Sequence, residues 1–382
     1  KLKRLAVIPA DPLYKYVEKG EIKARYWNPC NFFDEVHIIS LSKWDVRAEV
    51  VQTLVGDARL VIHPIGRPSM MTLPLYFSKI KKLVRAIRPD VVRAHGPWHT
   101  GSLAVYAGRS LGIPSIVSIH SNRDEQRRVE PSLLLKMVLP LENYALTNAS
   151  VVFCVSDYLH AYASRHGATR TFTVYNKVYA ERFDTERSYE RRGSLKALSV
   201  MRLDRAKYPE CLLEAIAPLD IHLTLIGQGE LEDALRRQTS QLGIANRVEF
   251  IKQVPNSEIQ AYYDRADVFL MATHYEGFCI PVLEAMAAGL PVIASNTGPI
   301  PEVLGGTGLV VKKAPEAFSE SLSKLADDRG RRASMGRAAR ERALQIDGPI
   351  MEKRECAIYM ALLNSDETEF YQMLSEKRRY VN

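Results

Sequence analysis

The hydrophobic and polar positions of this 382-residue chain alternate between short apolar runs and longer stretches with the period of amphipathic helices. Short apolar runs bounded by Gly, Pro or charged residues predict buried strands. The predicted strands are 4–9, 36–41, 60–64, 90–94, 115–120 and 151–155 in the first half, and 197–202, 222–227, 247–251, 267–272, 291–295 and 309–311 in the second. Strands separated by helix-length segments imply βαβ units and parallel sheets. The pattern therefore predicts an α/β protein with two doubly wound, Rossmann-like domains.

The predicted domain boundary falls in the stretch 179–196, which is charged and nearly free of aliphatic residues. Such a composition is typical of a linker between domains. We therefore expect an N-terminal domain over 1–185 and a C-terminal domain over 186–355. The remaining residues, 356–382, have a helical pattern, and this helix is expected to pack across either domain, including back across the N-terminal one.

The formal net charge of +8 and the isoelectric point near 9.1 favour an anionic partner, whether a nucleotide, a phospholipid surface or a nucleic acid. Nucleic acid ranks last, because no recognised module accompanies the charge. The five cysteines are scattered and form no Cys-x-x-Cys pair, which indicates neither a disulfide framework nor a zinc site. No apolar run approaches the roughly 18 to 20 residues of a membrane span. A reducing cytoplasm is the expected location.

The stretch 274–295, HYEGFCIPVLEAMAAGLPVIAS, follows the predicted strand 267–272 and has the pattern of a loop, a helix and a further strand. Gly277 interrupts the strand pattern, and Pro281 suits the first turn of a helix. In open α/β sheets, ligands bind at the carboxyl ends of the strands, and backbone N–H groups at a helix start suit a phosphate. The backbone groups expected to serve a phosphate are those of Phe278, Cys279 and Ile280.

Two carboxylates, Glu276 and Glu284, flank this predicted anion site. They are unsuited to binding a phosphate, but they can accept hydrogen bonds from the hydroxyls of a sugar and a ribose. A sugar nucleotide would satisfy both kinds of group. The alternative is that Glu276 is a solvated loop residue and Glu284 a favourable acid near a helix N-terminus. On this stretch alone, the two interpretations have equal weight.

The Glu-x7-Glu spacing of Glu276 and Glu284 within EGFCIPVLEAMAAGLPVIAS resembles the motif of the GT-B glycosyltransferases of family four. These are retaining enzymes that move a sugar from a nucleoside diphosphate donor. The resemblance covers nearly the whole chain and is stronger in the second half. It implies two Rossmann-like domains facing a central cleft and a hexosyltransferase-type enzyme that needs no metal and no cofactor. The absence of an Asp-x-Asp sequence agrees with metal independence.

Two cations of the second half match the family's diphosphate-binding segment. MRLDRAK resembles the family's GRL segment with a following lysine, and this places Arg202 and Lys207 on the diphosphate. A guanidinium and an ammonium group together can neutralise the leaving group. The alternative is a pair of surface cations. VEFIKQVPNSEI resembles the segment whose backbone approaches the donor base, near Val254 and Pro255.

In the first half, IPSIVSIHSN and IRPDVVRAHGPW resemble two strand ends of the family. The first places His120 near the donor sugar and the reaction centre, where an imidazole can donate a hydrogen bond or carry a proton. The alternative is a structural histidine at a strand end. His95 is the weaker candidate, on the acceptor side. The family's Gly-Gly loop after the first strand is reduced here to Gly20, which is assigned to donor binding, and Lys177 stands where the family usually has glycine.

The function implied by the resemblance is retaining transfer of a sugar from a nucleotide sugar, UDP- or GDP-linked, to a hydroxyl of a glycan, a lipid-linked acceptor or a small molecule. His120 and Glu276 are the expected catalytic residues. Two alternatives share the architecture. A sugar-nucleotide epimerase would need no acceptor, and a catalytically silent partner subunit would bind the donor weakly or not at all.

The stretch 78–88, SKIKKLVRAIR, is a predicted helix with a strongly basic composition. Ile80, Leu83, Val84 and Ile87 share one face, and five cations occupy the remainder. Such a helix can lie on an anionic membrane and bring the enzyme to a lipid-linked acceptor. The alternative is an ordinary helix that covers a sheet and has a solvated basic face. Peripheral contact with the inner face of a membrane is therefore an expectation to be tested.

Overall fold

The computed structural model describes residues 2–183, 187–190, 193–256 and 258–364. The strands are β1 (Arg4–Ile8), β2 (Glu35–Ser40), β3 (Arg59–Pro64), β4 (Val91–His95), β5 (Ser115–Ile119), β6 (Val151–Cys154), β7 (Thr171–Thr173), β8 (Leu195–Val200), β9 (Ile221–Ile226), β10 (Val248–Ile251), β11 (Val268–Met271), β12 (Val292–Ser295) and β13 (Leu309–Val311). The helices are α1 (Leu13–Glu18), α2 (Ala48–Val51), α3 (Leu73–Ile87), α4 (His99–Leu111), α5 (Arg123–Val129), α6 (Leu133–Met137), α7 (Leu139–Asn148), α8 (Tyr158–Arg165), α9 (Pro209–Ile216), α10 (Glu232–Gln241), α11 (Ile259–Arg265), α12 (Ile280–Ala287), α13 (Ile300–Leu304), α14 (Pro315–Ala326), α15 (Arg329–Gln345) and α16 (Gly348–Asn364).

The chain forms two compact units. The first contains the described residues of 1–120, 132–177 and 349–382, and the second contains those of 121–131 and 178–348. The predicted boundary between residues 185 and 186 lies outside the described residues, as does the part of the predicted C-terminal helix beyond residue 364. The described part of that helix is α16, whose residues Ile358, Tyr359 and Ala361 belong to the core of the first unit.

Within the described residues, each unit contains one parallel sheet. The first sheet has the strand order β3-β2-β1-β4-β5-β6-β7, and the second has the order β10-β9-β8-β11-β12-β13. Neighbouring strands are parallel throughout both sheets. In each order, strand number first falls and then rises, which is the pattern of a doubly wound fold. The predicted fold class of two Rossmann-like α/β domains is confirmed.

Each predicted strand lies on an observed one, and the structure adds β7. The reason for the agreement is burial, since β4, β5, β6, β11 and β12 are buried along their whole length and strands of this kind are mostly apolar. Arg93 and His95 of β4 are buried polar exceptions. β7 has only three residues, two of which are threonines, so its sequence gives no apolar run.

The described part of the predicted linker packs on the second unit. Arg187 donates hydrogen bonds of 2.6 to 2.9 Å to the carbonyl oxygens of Tyr263, Ala266 and Ala288. Tyr189 donates one of 3.0 Å to the carbonyl oxygen of Gly289. A charged composition therefore serves here to satisfy backbone groups at the ends of helices, and not to keep the segment free in solvent.

The predicted basic helix is the C-terminal part of α3. Ile80, Val84 and Ile87 are buried in a core cluster of the first unit, and Leu83 packs against that cluster. The apolar stripe therefore covers the sheet, as an amphipathic helix on an α/β domain requires. No helix within the described residues is long and apolar enough to cross a membrane.

Candidate functional site

Two predicted site segments follow neighbouring strands at the centre of the second sheet. The loop with Arg202 and Lys207 follows β8, and the loop with Glu276 follows β11. These strands are paired in parallel at the point where the strand order of the sheet reverses. In doubly wound sheets the connections diverge to opposite faces at this point and leave a crevice at the carboxyl ends of the strands. The fold thus brings together residues about 70 positions apart in the sequence, as the Lys207–Glu276 contact shows.

Asp204 organises the loop after β8. Its Oδ1 accepts hydrogen bonds from the backbone N–H groups of Ala206, at 3.1 Å, and Lys207, at 3.3 Å. Its Oδ2 lies 3.0 Å from Nη1 of Arg202. The guanidinium of Arg202 remains 69% exposed, so it stands at the surface of the loop, where an anion from solvent can reach it.

The two glycines of the Gly-Gln-Gly sequence after β9 lie very close to the backbone of the loop after β8. A Cβ atom at Gly227 would lie 1.7 Å from the carbonyl oxygen of Met201, and one at Gly229 would lie 2.2 Å from that of Leu203. Leu203 also exchanges backbone hydrogen bonds with this segment, donating to Gln228 and accepting from Leu231. These glycines therefore let the loop after β9 support the loop with Arg202 and Lys207.

Buried hydroxyls fix the exit of β11. The backbone N–H of Thr273 donates to Oγ of Ser295 at 3.1 Å, and Oγ1 of Thr297 donates to the carbonyl oxygen of Thr273 at 3.0 Å. The Thr273 hydroxyl donates to the carbonyl oxygen of Ala206 at 3.2 Å. All three hydroxyl-bearing residues are at most 5% exposed. The loops after β8, β11 and β12 therefore form one hydrogen-bonded layer.

Lys207 and Glu276 form an ion pair within this layer. The Lys207 ammonium group contacts Oε1 of Glu276, and the two side chains are 14% and 11% exposed. Lys207 is held in place by an isolated antiparallel bridge to Thr273, and the backbone N–H of His274 donates to the carbonyl oxygen of Ala206 at 3.0 Å. A fixed, partly buried ammonium group is suited to binding an anion, and a fixed carboxylate is suited to accepting hydrogen bonds from hydroxyls.

Cys279 is the residue before α12 and adopts the left-handed conformation, with φ of 73°. An L side chain rarely takes this conformation, which favours glycine. The thiol is buried, and burial, followed by the charge of Glu276, raises its pKa well above the usual value. The thiol of Cys279 is thus a neutral group in the interior, near Glu276. In the first turn of α12, Pro281 has no N–H, and the N–H of Val282 donates to the carbonyl oxygen of Cys279 at 3.1 Å. The N–H of Ile280 is one of the groups that a helix start leaves without a partner inside the helix, and Phe278 is buried beside it.

Glu284 is held by a buried tyrosine that the sequence did not single out. The hydroxyl of Tyr263, in α11, donates to Oε2 of Glu284 at 2.9 Å. Tyr263 is fully buried, and burial, followed by the charge of Glu284, raises its pKa well above the usual value. The hydroxyl therefore stays a donor, and it orients a carboxylate that is only partly buried.

A second tyrosine lies beside the glutamate loop. Tyr275 donates a hydrogen bond of 3.1 Å to Oε2 of Glu130, which follows α5 and belongs to the second unit although it comes from the first half of the sequence. Burial, then the charge of Glu130, raises the pKa of Tyr275. Neither Tyr263, Tyr275 nor Asp204 was predicted, since an aromatic residue in an apolar pattern and an acid in a polar loop give no distinctive signal.

The other predicted donor residues lie apart from these contacts. Val254 is in the loop after β10, half-buried, and its role near a nucleobase stays a prediction. Gly20 belongs to the first unit, where it follows α1 with φ of 66° and donates its N–H to the carbonyl oxygen of Val17. This helix-terminating turn accounts for the glycine, and its assignment to donor binding is likewise a prediction.

The two predicted histidines are neighbours in the first unit. His95 ends β4, His120 follows β5, and their ring centroids are 4.8 Å apart. His95 is 3% exposed and packs edge-on against Trp27 at 4.2 Å. Burial, then the charges of Arg93, His120 and Lys177, lowers its pKa well below the usual value. His95 is therefore a neutral, buried side chain next to the ring of His120. Both functional assignments stay predictions.

Two protein families match consecutive parts of the chain. The model of "Glycosyl transferase 4-like domain" matches residues 31–177, and the model of "Glycosyl transferases group 1" matches residues 181–342. The second match contains both glutamates, Arg202 and Lys207. The first contains both histidines.

Relatives and solved structures agree with these families. Over 303 residues the chain is 27% identical to glycogen synthase from Mycobacterium tuberculosis, a match that covers 74% of this chain and 72% of the relative. Over 158 residues it is 35% identical to D-inositol 3-phosphate glycosyltransferase from Corynebacterium glutamicum, covering 38% of each. The structure of HepE from Anabaena, in complex with UDP and glucose, superposes with a TM-score of 0.76 at 16% identity, covering 94% of this chain and all of that one.

Proposed function

Because this chain belongs to the GT-B glycosyltransferases of the GT4 type, we propose that it transfers a sugar from a nucleoside diphosphate donor to a hydroxyl acceptor with retention at the anomeric carbon. The observation that carries this proposal is the pairing of Lys207 with Glu276 at the point where the second sheet reverses its strand order. This pair supports the proposal because a fixed cation and a fixed carboxylate lie at the edge of the sheet where doubly wound proteins commonly bind ligands.

The diphosphate end of the donor would be bound by Lys207, by Arg202 and by the backbone N–H of Ile280 at the start of α12. Lys207 is fixed by Glu276 and by its bridge to Thr273, whereas Arg202 is exposed and held by Asp204. A preorganised cation stabilises charge as it develops on a departing diphosphate. Lys207 is therefore the principal group for the leaving group, and Arg202 would close on the same anion from the surface.

The hydroxyl-bearing parts of the donor would be bound by the two glutamates. Glu276 would accept hydrogen bonds from the transferred sugar, and Glu284, held by Tyr263, would accept them from the ribose. The structure of HepE, solved with UDP and with UDP-glucose, supports a uridine nucleotide as the first candidate donor. GDP-linked sugars are the second candidate.

Retention would follow from attack on the same face of the sugar that the diphosphate leaves, with the leaving phosphate taking the acceptor proton. We further propose that no metal is needed, since Lys207 and the backbone N–H of Ile280 would neutralise the diphosphate. The roles of His120 at the donor sugar, of Val254 at the base and of Gly20 remain as the resemblance implies them.

The test is thermal unfolding of the full chain with UDP, GDP, ADP or TDP in the presence of EDTA. One nucleotide should raise the midpoint of the wild type, and Glu284→Ala and Lys207→Met should abolish the rise. A rise that requires added Mg²⁺ would contradict metal independence. Equal rises in the wild type and both variants would place the nucleotide elsewhere and contradict the proposed site.

Product analysis then tests the reaction. With the nucleotide sugar that stabilises the protein and a panel of acceptors, NMR of the product should show the same anomeric configuration as the donor. An altered free sugar nucleotide without acceptor would indicate an epimerase. Donor binding without turnover on any acceptor of the panel would favour a catalytically silent subunit.

The surface of α3 supports membrane contact as a finer proposal. Met71 and Leu75 are 92% and 71% exposed near the start of α3, and the exposed Lys82 and Arg85 follow along the helix. The sequence has no Asp or Glu between residues 57 and 90. Exposed apolar side chains next to cations on a surface with no acid are suited to an anionic lipid headgroup layer. We propose that this surface brings the enzyme to a lipid-linked acceptor.

A further inference from the structure

The first unit contains a buried cluster in which one carboxylate contacts two cations. Arg93 of β4, Lys177 after β7 and Glu355 of α16 are 6%, 5% and 1% exposed. Nη1 of Arg93 contacts Oε1 of Glu355, and Nζ of Lys177 lies 2.8 Å from Oε2. The Arg93 guanidinium also donates to the hydroxyl of Tyr359 at 3.0 Å and to that of Ser118 at 3.2 Å.

The three charged groups leave one positive charge in excess. Burial alone would raise the pKa of Glu355, but Arg93 and Lys177 lower it, so the carboxylate is ionised. Burial alone would lower the pKa of Arg93, but Glu355 raises it. Burying an ion without a counter-charge is costly, and buried cations are normally balanced. One negative charge therefore balances only one of the two cations.

A cavity opens beside this cluster. It has about 330 Å³ of empty space, with the solvent at its mouth included. Its charged and polar lining includes Arg93, Ser118, His120, Asn176 and Lys177, and among the described residues that line it Glu355 is the one acid. Polar donors therefore line one part of the cavity, and Phe153, Val155 and Val174 line another. No second carboxylate of the described lining offsets the two cations.

Three further titratable groups lie near the cavity. Nζ of Lys23 lies 3.4 Å from the carbonyl oxygen of Lys177. His95, behind His120, is neutral for the reasons given above. Glu21 is near enough to act on Tyr26 at the cavity wall, but it is exposed to solvent and does not line the cavity. The described lining of the cavity therefore has two permanent cations, Arg93 and Lys177, and one carboxylate, Glu355.

We propose that this cavity binds an anionic oxygen group, a carboxylate or a phosphate monoester, between Lys177 and Arg93. Such a group supplies the missing negative charge and accepts hydrogen bonds from the ammonium, the Asn176 amide and the Ser118 hydroxyl. Lys177 stands where the family that the chain resembles usually has glycine, and a glycine at this position would not supply the ammonium group.

The proposal names a class of acceptor, and in this respect it rests on the proposed function. Because His120 lines the same cavity, an anion bound there lies beside the histidine that the resemblance assigns to the reaction. The acceptor is then an anionic molecule, a sugar phosphate or a sugar acid. A free inorganic anion has the same chemistry, and the experiment separates these two sources.

The experiment is thermal unfolding of the full chain at constant ionic strength with inorganic phosphate, glucose, glucose 6-phosphate or glucuronate, each without nucleotide. The variants are Lys177→Met and, as a matched control, Lys43→Met, which removes an exposed cation from the same unit. Phosphate should raise the midpoint of the wild type and of Lys43→Met by about 2 °C or more at concentrations well above Kd. Lys177→Met should show no rise.

The unfolding midpoint of Lys177→Met in anion-free buffer also distinguishes two possible roles of Lys177. If the excess charge is real, Lys177→Met leaves a balanced Arg93–Glu355 pair, and its midpoint equals or exceeds that of the wild type. If Lys177 serves only as a partner of Glu355, its loss lowers the midpoint equally in every buffer. That second outcome would overturn the proposal, as would an equal phosphate response of Lys177→Met and the wild type.

The ligand panel assigns the source of the anion. A larger response to glucose 6-phosphate or glucuronate than to inorganic phosphate, with none to glucose, supports an anionic acceptor. A response to inorganic phosphate that the sugar does not increase overturns the acceptor assignment and supports a site for a free anion. UDP added to the same samples should stabilise Lys177→Met as much as the wild type. Failure of UDP in all samples would count against the proposed function and leave the phosphate result standing.

Discussion

The hydroxyl of Tyr263, a fully buried residue of α11, donates a hydrogen bond of 2.9 Å to Oε2 of Glu284 in α12. Tyr263 also packs edge-on against Phe183 at 5.5 Å and beside Phe269 at 5.9 Å, so its ring is fixed. The orientation of the glutamate is therefore set by the core of the second unit and not by a mobile loop.

Tyr263→Phe removes this donor and keeps the ring. We expect about 1 kcal/mol less stability, since a buried hydrogen bond contributes about that much, and nucleotide binding about fivefold weaker, because Glu284 is no longer held. Urea unfolding measures the first effect and titration calorimetry with the stabilising nucleotide measures the second. The neighbouring Tyr262→Phe, at a half-buried position, is the control and should change neither. Unaltered affinity in Tyr263→Phe would show that the tyrosine serves packing alone.

Lys207→Met tests the leaving-group role of the ammonium. Removing one preorganised donor to developing charge lowers kcat by about 10²- to 10³-fold. Lys196→Met, an exposed lysine near the start of β8, is the control and should retain activity. Initial rates at saturating donor measure the effect.

The double variant Lys207→Met/Glu276→Gln separates charge balance from chemistry. Loss of Lys207 alone leaves a partly buried carboxylate without its cation, which lowers stability. Neutralising Glu276 in the same chain should restore part of the melting temperature and none of the activity. Recovery of activity in the double variant would show that Lys207 acts only as a structural partner.

Much of the fold can be predicted from the sequence because burial produces apolar runs, whereas the contacts within the candidate site cannot be predicted in this way. Strands such as β5 and β12 are buried on both faces, so their apolar runs are visible in the sequence. The Glu-x7-Glu spacing and the position of Lys207 likewise follow from a strand, a loop and a helix start. The order of strands decides that the loops after β8 and β11 are neighbours, and long-range pairing of this kind leaves no local pattern.

Residues whose role depends on a distant partner were missed for the same reason. Tyr263 has the pattern of a core aromatic residue, and only the position of α12 shows that its hydroxyl reaches Glu284. Arg187 has the composition of a linker residue, and only the position of three carbonyl groups makes it an anchor. Lys177 was visible as a departure from glycine, but its partner Glu355 is 178 positions further along the chain.

The buried neutral state of His95 makes stability depend on pH. Its folded pKa lies well below the usual value because of burial and of Arg93, His120 and Lys177. The unfolded chain takes up a proton near pH 6.5 that the folded chain does not. Unfolding thus becomes easier as the pH falls below about 6.5, by up to about 1.4 kcal/mol per pH unit, and this contribution is fully retained above it.

Urea unfolding of the wild type and His95→Asn between pH 7.5 and 5.5 measures this dependence. His37 and His63, whose pKa values are also lowered first by burial, contribute in the same direction. His63→Asn is therefore a comparison variant, and its slope should also be smaller than that of the wild type. The free energy of unfolding of His95→Asn should fall less steeply with acid than that of the wild type. If the free energy of unfolding had the same pH dependence in the wild type and in His95→Asn, His95 would not be the source of this dependence.

The exposed surface of α3 predicts binding to anionic vesicles. Met71→Ser/Leu75→Ser removes the apolar contact, and Lys82→Gln/Arg85→Gln removes two cations worth about 1 kcal/mol each near a charged membrane. Co-sedimentation with phosphatidylglycerol-rich vesicles should fall in both, and phosphatidylcholine vesicles should bind little of any form.

The control variant Lys252→Gln/Arg265→Gln removes the same charge from exposed positions of the second unit. If this control lost as much binding as the α3 variant, net charge and not this surface would account for the attraction. Equal binding to neutral and anionic vesicles would contradict the electrostatic part, because a cationic stripe distinguishes lipids by their headgroup charge alone.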